Sequence, residues 1–260
     1  MARIIAVTNQ KGGVGKTTTC VNLAASLAAM KRRVLLIDLD PQGNATTGSG
    51  LIKDQLDTSV FDVLVGTHGV KDVIVPVMED LSGPGKYWVL PANGDLTGAE
   101  VALLDLPSKE TRLRAGLYEV SNDFDYILLD CPPALNMLTV NALAASQGVL
   151  IPVQCEYYAL EGLTALLQTI ERISHALNPS LEIEGILRTM YDPRPSLTHD
   201  VSGQLQKHFG PKVYDTVIPR NIRLAEAPSY GLPVLHYEKQ SRGAMAYLAL
   251  AGEFIRKSTT

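Results

Sequence analysis

The chain is poor in cysteine, and its few cysteines do not follow a metal-binding or disulfide pattern. Among its 260 residues are three, Cys20, Cys131 and Cys155, without a CxxC pair or a histidine at metal-ligand spacing. The five histidines are scattered in the same way. This absence excludes a disulfide framework and favours free thiols in a reducing compartment.

Long apolar runs are also missing. The first apolar stretch, residues 4–7, is too short for the hydrophobic region of a signal peptide. No run approaches the ~20 apolar residues that a membrane span needs. We therefore expect a cytoplasmic protein that does not insert into a membrane.

Charge of one sign does not dominate the chain. The net charge is −4, and aromatic residues, which make up 6% of the chain, do not interleave with basic ones as in proteins that stack single-stranded nucleic acid. The charge is nevertheless uneven, because residues 1–185 carry −8 and the remainder carries +4. Any face that follows a phosphate backbone is therefore expected in the C-terminal part.

The residues that are present are those of an ordinary globular protein, with 46% apolar and 19% charged residues. Apolar runs predict strands near residues 3–8, 33–38, 87–91, 126–130, 148–153, 183–189, 213–218 and 233–236. Helical patterns fall near residues 16–29, 109–121, 138–146, 160–177, 197–208, 222–227 and 242–257. This alternation predicts an α/β fold with a mainly parallel, twisted sheet covered by helices on both faces, in one domain over residues 1–260.

The first strand-to-helix junction carries a phosphate-binding loop. Residues 11–18 read KGGVGKTT, between the apolar residues 4–7 and a helical pattern at residues 21–27. Glycines let successive backbone N–H groups face an anion, and the following helix offers its N-terminal dipole. Lys16 adds a charge near the β- and γ-phosphates, and Thr17 lies where a hydroxyl ligates Mg²⁺.

One position departs from the ordinary P-loop pattern. Gln10 stands where the first glycine of GxxxxGK[ST] belongs, and the loop reads KGGxGK[ST] instead. Lys11 lies too far back to duplicate Lys16 and is free to reach a neighbouring nucleotide. The pattern therefore suggests a dimer with ATP sandwiched between its subunits.

Acidic residues end two further buried strands. Asp38 and Asp40 follow the apolar run at residues 34–37, and Asp130 follows the run at residues 126–129. In an open α/β sheet, ligands bind at this carboxyl edge, and carboxylates beside a phosphate loop suit Mg²⁺. The alternative, that they cap helices or turns, is strongest for Asp38.

Five motifs together resemble one family. Similar motifs occur in the ParA/Soj branch of the deviant Walker A ATPases: KGGVGKTTT, LLIDLDPQGNATTG, ILLDCPP, IPVQCEYYALEGL and VIPRNIRLAEAPSYGLP. The resemblance covers the chain from residue 3 to about residue 245. The resemblance implies a P-loop NTPase that binds ATP and Mg²⁺. It also implies slow hydrolysis of ATP to ADP and phosphate, stimulated by a partner.

The resemblance implies roles for single residues. Lys11, Lys16 and Asp40 are the implied catalytic residues, with Lys11 on the partner subunit's nucleotide and Asp40 orienting the attacking water. Mg²⁺ is implied at Thr17, Asp40 and Asp130. Nucleotide contacts are implied for the loop and for a later turn on the adenine side: Lys11, Gly12, Gly13, Val14, Gly15, Lys16, Thr17, Thr18, Pro219, Arg220 and Asn221.

The implied partners are a second copy of the chain, non-specific double-stranded DNA and a ParB-type centromere-binding protein, with association with the nucleoid. The segments MYDPRP and PRNIRL place Arg194 and Arg223 where the family binds DNA. Seven basic residues in the C-terminal part could form a face that binds DNA phosphates: Arg188, Arg194, Lys207, Arg220, Arg223, Lys239 and Arg242. The alternative is a solvated surface with ordinary salt bridges. Because the loop begins almost at Met1, we expect no separate helix-turn-helix domain and therefore DNA binding without sequence preference.

Two other functions share the nucleotide site. A MinD-like ATPase that positions itself on a membrane surface needs an amphipathic, basic C-terminal helix, whereas the residues at 246–257 are better explained as a helix packed on the sheet. A cobyrinic acid amidating ligase needs a glutamine-hydrolysing domain, for which no residues are left. Glu156 remains open between a contact at the nucleotide or dimer interface and a helix cap.

Overall fold

The computed structural model describes residues 1–77 and 87–258. Its strands are β1 Arg3–Val7, β2 Val34–Asp38, β3 Val75–Val77, β4 Tyr87–Leu90, β5 Tyr126–Asp130, β6 Gly148–Gln154, β7 Glu182–Tyr191 and β8 Val213–Pro219. They form one sheet in the order β3-β4-β2-β5-β1-β6-β7-β8. Every neighbouring pair is parallel except the antiparallel pair of β3 and β4 at one edge.

Helices fill the connections between the strands. They are α1 Lys16–Ala29, α2 Asn44–Gly48, α3 Val60–Val65, α4 Val70–Val73, α5 Ala99–Leu104, α6 Arg112–Leu117, α7 Met137–Ala145, α8 Ala159–Ala176, α9 Ser196–Phe209, α10 Ile222–Glu226, α11 Val234–Tyr237 and α12 Arg242–Ser258. Short 3-10 turns lie at Lys53–Gln55, Gly94–Gly98, Lys109–Thr111, Tyr118–Val120, Gly210–Lys212 and Ala227–Tyr230.

Two apolar cores lie on opposite faces of the sheet. In β1, Ile4 and Ala6 belong to the core under α7 and α8, whereas Ile5 and Val7 belong to the core under α1 and α12. Successive side chains of a strand point to opposite faces, so both faces of this strand are buried. The predicted fold class, a mainly parallel sheet with helices on both faces, is confirmed.

The predicted strand at residues 233–236 is wrong, because Val234–Tyr237 form the helix α11. Pro233 precedes it with φ −59°, which suits a helix start, and the N–H of Val234 donates to the Asn22 side chain of α1 at 2.7 Å. This contact between residues distant in the chain has no sign in the local pattern. The predicted helix at 109–121 is also interrupted, since only Arg112–Leu117 is α-helical between two 3-10 turns.

The stretch at residues 41–86, which has no strong periodicity, is more regular than the sequence suggests. It contains the short helices α2, α3 and α4 and the edge strand β3, whose Pro76 is tolerated because the strand has a neighbour on one side. Residues 78–86 of this stretch lie outside the described residues. The expected free thiols are confirmed, since Cys20, Cys131 and Cys155 are buried and unbridged. Within the described chain, no helix is both long and apolar enough to cross a membrane.

Candidate nucleotide-binding site

The loop between β1 and α1 has the backbone of an anion cradle. Gly13 and Gly15 have φ values of 74° and 84°, a left-handed conformation that glycine adopts without strain. Asn9 supports the loop, because its Oδ1 accepts from the Lys11 N–H at 2.9 Å and its Nδ2 donates to the Pro152 carbonyl at 2.8 Å. The chain therefore turns its backbone toward the N-terminus of α1, where anions bind.

Lys16 is buried at the first residue of α1, with 7% of its surface exposed. Its Nζ lies 3.4 Å from the Lys11 carbonyl, so the ammonium group folds back over the loop. Burial lowers the pKa of Lys16, an effect that the nearby charge of Asp130 opposes. Thr17 and Thr18 follow in the same turn of helix and are half-buried. This is the arrangement that a phosphate needs at a helix N-terminus.

Asp130 ends β5 in register with Asp38 of β2. It is fully buried, and neither of its carboxylate oxygens has a hydrogen-bond partner. Burial, together with the neighbouring Asp38 carboxylate, raises the pKa of Asp130 well above its usual range, and the nearby Thr17 hydroxyl opposes this rise. Two orphaned oxygens beside a threonine hydroxyl fit a divalent cation or a water bound to one.

Asp38 is also fully buried, but its oxygens are engaged. Its Oδ2 accepts from the backbone N–H and the hydroxyl of Thr46, at 2.8 and 2.7 Å, and its Oδ1 accepts from the Asp40 N–H at 3.2 Å. Burial raises the pKa of Asp38 to about 6, although these hydrogen bonds oppose the rise. The capping alternative therefore describes Asp38 well, because it joins the end of β2 to α2.

Asp40 lies on the loop that Asp38 holds. It is half-buried, and its Oδ1 accepts from the Gln42 N–H at 3.0 Å. Its Oδ2 makes no hydrogen bond to the described residues, so one oxygen is available to a water molecule. Among residues 1–77 and 87–258, no group of three or more His, Cys, Asp or Glu side chains could hold a metal ion. A cation at this edge therefore needs further oxygen ligands from a hydroxyl, a phosphate or water.

A mostly apolar cavity of about 260 Å³ joins the phosphate loop to the turn after β8. Gly15 and Thr18 line it on one side, and Pro219, Arg220 and Asn221 line it on the other. The two segments that the sequence analysis assigned to one nucleotide are thus neighbours in space. A cavity of this polarity beside a phosphate cradle suits a nucleotide base.

Sequence reasoning missed the contribution of β7 to this cavity. Thr189 is buried, its hydroxyl donates to the Val14 carbonyl at 2.8 Å, and its side chain lies against Gly15. Met190 lines the cavity with φ 46°, a strained value for a residue that is not glycine. No local pattern separates these residues from the rest of a buried strand.

Lys11 does not project freely from the loop. Its Nζ lies 2.6 Å from Glu156 Oε2, with 42% and 48% of the two side chains exposed. Glu156 does not cap α8, which begins at Ala159 without a side-chain cap. Of the two alternatives for Glu156, the cap is therefore wrong, and the carboxylate binds the lysine of the phosphate loop.

Both arginines that were assigned to DNA lie at the surface near this edge. Arg194 bonds the Asp192 carboxylate through Nε at 2.9 Å and through its terminal nitrogen at 2.6 Å. Arg223 donates to Glu226 at 2.7 Å. Each arginine is exposed yet already paired with an acidic neighbour.

Arg188, by contrast, was wrongly included in the basic face. It is buried, and its guanidinium donates to the Ser202 hydroxyl and to the carbonyls of Tyr214 and Asp215. These bonds hold β7 against α9 and β8. A buried guanidinium of this kind cannot contact a DNA backbone.

The fold and the loop define a class, the P-loop ATPases of the deviant Walker A type. Residues 2–183 match the family described as AAA domain. The chain is 53% identical to the sporulation initiation inhibitor protein Soj of Bacillus subtilis, covering 97% of this chain and 98% of that protein. It is 51% identical to the chromosome partitioning protein ParA of Caulobacter vibrioides, covering 98% and 94%. The chain belongs to the ParA/Soj family of chromosome-partitioning ATPases.

Among solved structures, the chain resembles cobyrinic acid a,c-diamide synthase from Mycobacterium smegmatis with bound ADP and magnesium. The TM-score is 0.86 at 37% identity, over 100% of this chain and 96% of that one. A chain of nearly the same length thus carries the name of the ligase, so length alone does not exclude that function. The chain is more similar to a chromosome partitioning protein, with 51% identity over almost the whole chain, than to this ligase.

Proposed function

We propose that this ATPase is a DNA-partitioning switch. ATP and Mg²⁺ binding favours a sandwich dimer, the dimer binds double-stranded DNA without sequence preference, and hydrolysis stimulated by a ParB-type partner releases it. The observation that carries the proposal is the meeting of the phosphate loop, the turn at residues 219–221 and the orphaned carboxylate of Asp130 at one edge of the sheet. Relatives named as chromosome partitioning proteins support a role of the switch in DNA partitioning.

In the proposed site, the phosphates lie on the loop at residues 11–18 and the base lies in the cavity beside Pro219 and Asn221. Thr17, Asp40 and Asp130 are the residues that would hold Mg²⁺, directly or through water. Bound Mg²⁺ would neutralise charge on the β- and γ-phosphates. Lys16 needs only to swing from the Lys11 carbonyl to reach them.

Hydrolysis requires positioning and charge neutralisation more than covalent chemistry. The free oxygen of Asp40 would orient the attacking water, and Lys16 would stabilise charge on the transferred phosphoryl group. Lys11 would complete the site from the other subunit. A site that is completed only in a dimer turns over slowly until association and a partner set its geometry.

The dimer is proposed to form through the edge that carries the loop. Lys11 is partly exposed there, and Tyr157, Tyr158 and Leu135 in the loops after β6 and β5 are 74%, 67% and 50% exposed. Exposed apolar side chains of this size are typical of surfaces that associate. A second copy of the chain would cover them.

DNA binding is proposed at Arg194 and Arg223, and dimerisation would double the number of phosphate contacts. The MinD-like alternative requires a free amphipathic helix at the membrane surface. In α12, Tyr247, Leu250 and Phe254 are instead buried in the core under the sheet. We therefore retain DNA as the ligand, and with it a single ATPase domain and a nucleoid-associated, cytoplasmic location.

Duplex DNA binding with ATP, with ADP and without nucleotide, at about 50 and about 200 mM salt, tests the proposal. We expect binding only with ATP, with a steep loss at the higher salt. Asp40→Ala should trap an ATP dimer that still binds DNA, Lys16→Ala should bind neither nucleotide nor DNA, and exposed Asp54→Ala is the control. A monomeric Asp40→Ala protein in ATP would contradict the sandwich, and failure to bind DNA with any nucleotide would direct the test to lipid vesicles.

A further inference from the structure

A second polar cavity lies at the amino ends of the strands. Its volume is about 290 Å³, and its charged lining consists of Arg3, Arg32, Arg33 and Asp125. We call it the amino-end cavity. Three guanidinium groups and one carboxylate therefore share one concave surface.

The amino-end cavity is separate from the nucleotide site. Arg3 of β1 and Val34 of β2 both lie in register with Tyr126, the first residue of β5. The nucleotide site lies at the other ends of the same three strands, around Val7 and Asp130. Five-residue strands place the two sites roughly 15 Å apart.

The positive charge in the cavity is only partly compensated. Arg33 pairs with Asp125 at 3.0 Å, and Arg3 pairs with the buried carboxylate of Glu184. Arg32 is exposed, and its side chain forms no hydrogen bond or ion pair with the residues that the structure describes. Its charge nevertheless acts on Asp125, whose pKa is lowered, against the effect of burial, by the hydrogen bonds from Arg33 and by both arginine charges. The three arginines and the two carboxylates that pair with them therefore leave one net positive charge at the cavity.

Arg3 supplies an independent sign of a missing acceptor. Its terminal nitrogen bonds Glu184, but its Nε is buried and has no hydrogen-bond partner. A buried N–H of a charged group without an acceptor is costly, and native structures rarely keep one. A turn of the Arg3 side chain would bring this N–H to the cavity, where an anion would accept from it.

We infer that the amino-end cavity binds a phosphate group. Guanidinium groups match phosphate oxygens through paired N–H donors, and phosphate carries the charge that Arg32 leaves uncompensated. The group is either a free small phosphate or a phosphate of a nucleic-acid backbone. Because the cavity is concave, the ligand that fits it is a single phosphate group and not a flat surface.

Arginine Nε–Hε resonances, observed by NMR during titration with inorganic phosphate, test the inference. We expect a saturable shift at Arg3, and sodium chloride at equal ionic strength should not reproduce it. Arg32→Gln, which breaks no ion pair, should weaken the phosphate affinity about tenfold because one charge-assisted bond is lost. Arg172→Gln, an exposed arginine on α8, is the matched control and should leave the titration unchanged.

A parallel titration with a short DNA duplex distinguishes the sources of phosphate. A shift at Arg3 with DNA alone would assign the site to the nucleic-acid backbone, and a shift with inorganic phosphate would assign it to a small ligand. No saturable shift with either, or equal shifts in Arg32→Gln, would overturn the inference. The amides of Gly13 and Gly15 report phosphate at the nucleotide loop separately, so failure at one site does not conceal binding at the other.

Discussion

Lys11 and Glu156 form an ion pair of 2.6 Å that joins the phosphate loop to the segment after β6. The pair lies within one chain, whereas the proposed role of Lys11 is on the nucleotide of a second chain. The ion pair must therefore open before the dimer is complete. Both side chains are about half exposed, so the pair is screened by solvent and opposes this step only weakly.

Glu156→Gln should favour ATP-dependent dimerisation. An exposed pair contributes between about 0.2 and 1 kcal/mol, and a dimer of two such chains opens two pairs, so the protein concentration at half-dimerisation should fall by no more than about thirtyfold. Sedimentation velocity over a range of protein concentrations in ATP measures this. Exposed Glu161→Gln is the control. Weaker dimerisation of Glu156→Gln would mean that the carboxylate contributes to the interface itself.

Thr189→Val should reduce nucleotide affinity about tenfold. The change keeps the shape of the side chain but leaves the Val14 carbonyl without its hydrogen bond, and the loop loses its tether to β7. Titration with a fluorescent ATP analogue measures the affinity, and Thr189→Ser, which keeps the hydroxyl, should restore it. If thermal stability fell while nucleotide affinity stayed the same, the Thr189–Val14 hydrogen bond would stabilise the fold without contributing to nucleotide binding.

The acidic partners of the two surface arginines should modulate DNA binding. Asp192→Asn should raise affinity for non-specific duplex DNA, because it frees Arg194 and removes a charge that repels phosphate. Arg194→Gln should lower the affinity and reduce the slope of log K against log salt by about one. Fluorescence anisotropy at several salt concentrations measures both, with Arg172→Gln as the control. Unchanged slopes in Arg194→Gln would exclude a phosphate contact.

Arg223→Glu should weaken DNA binding while leaving ATP-dependent dimerisation intact. Arg223 is exposed and its guanidinium donates to Glu226, so reversing the charge of this side chain should not disturb the core. DNA anisotropy and sedimentation in ATP, measured on the same preparation, test the two properties. Loss of both together would show that Arg223 supports the fold near the turn at residues 219–221.

Glu253→Gln should destabilise the fold by about 1–3 kcal/mol at neutral pH. Glu253 accepts from the N–H groups of Asp215 and Thr216, at 2.8 and 2.9 Å, and so fastens α12 to β8. Although burial opposes it, these bonds lower the pKa of Glu253, so its contribution is present at pH 7 and is lost as the pH falls below about 4. Urea unfolding at both pH values measures this, with exposed Glu182→Gln as the control. If the loss of unfolding free energy in Glu253→Gln were as large in acid as at pH 7, the ionised Glu253 carboxylate would not be the stabilising group.

The phosphate loop could be read from the sequence because its chemistry is local. Glycines, Lys16 and Thr17 are neighbours in the chain, and the strand before them and the helix after them follow from short apolar patterns. The roles of Asp38 and Arg188 could not be predicted from local sequence patterns. Whether a charged side chain meets a ligand or a buried backbone group depends on residues far away in the chain, such as Tyr214 for Arg188.

The sequence by itself determined the fold class, the family and the residues of the phosphate loop, because periodic burial and contiguous motifs are properties of short segments. Only the tertiary structure decided that Lys11 is held by Glu156, that Thr189 supports the loop, and that arginines near residues 3 and 33 line one cavity. These relationships join segments on adjacent or next-but-one strands of the sheet: Lys11 and Glu156 follow the adjacent strands β1 and β6, whereas one strand lies between β1 and β7 and one between β1 and β2. Such residues come together because of the order of the strands in the sheet. That order is determined by the folding of the whole core.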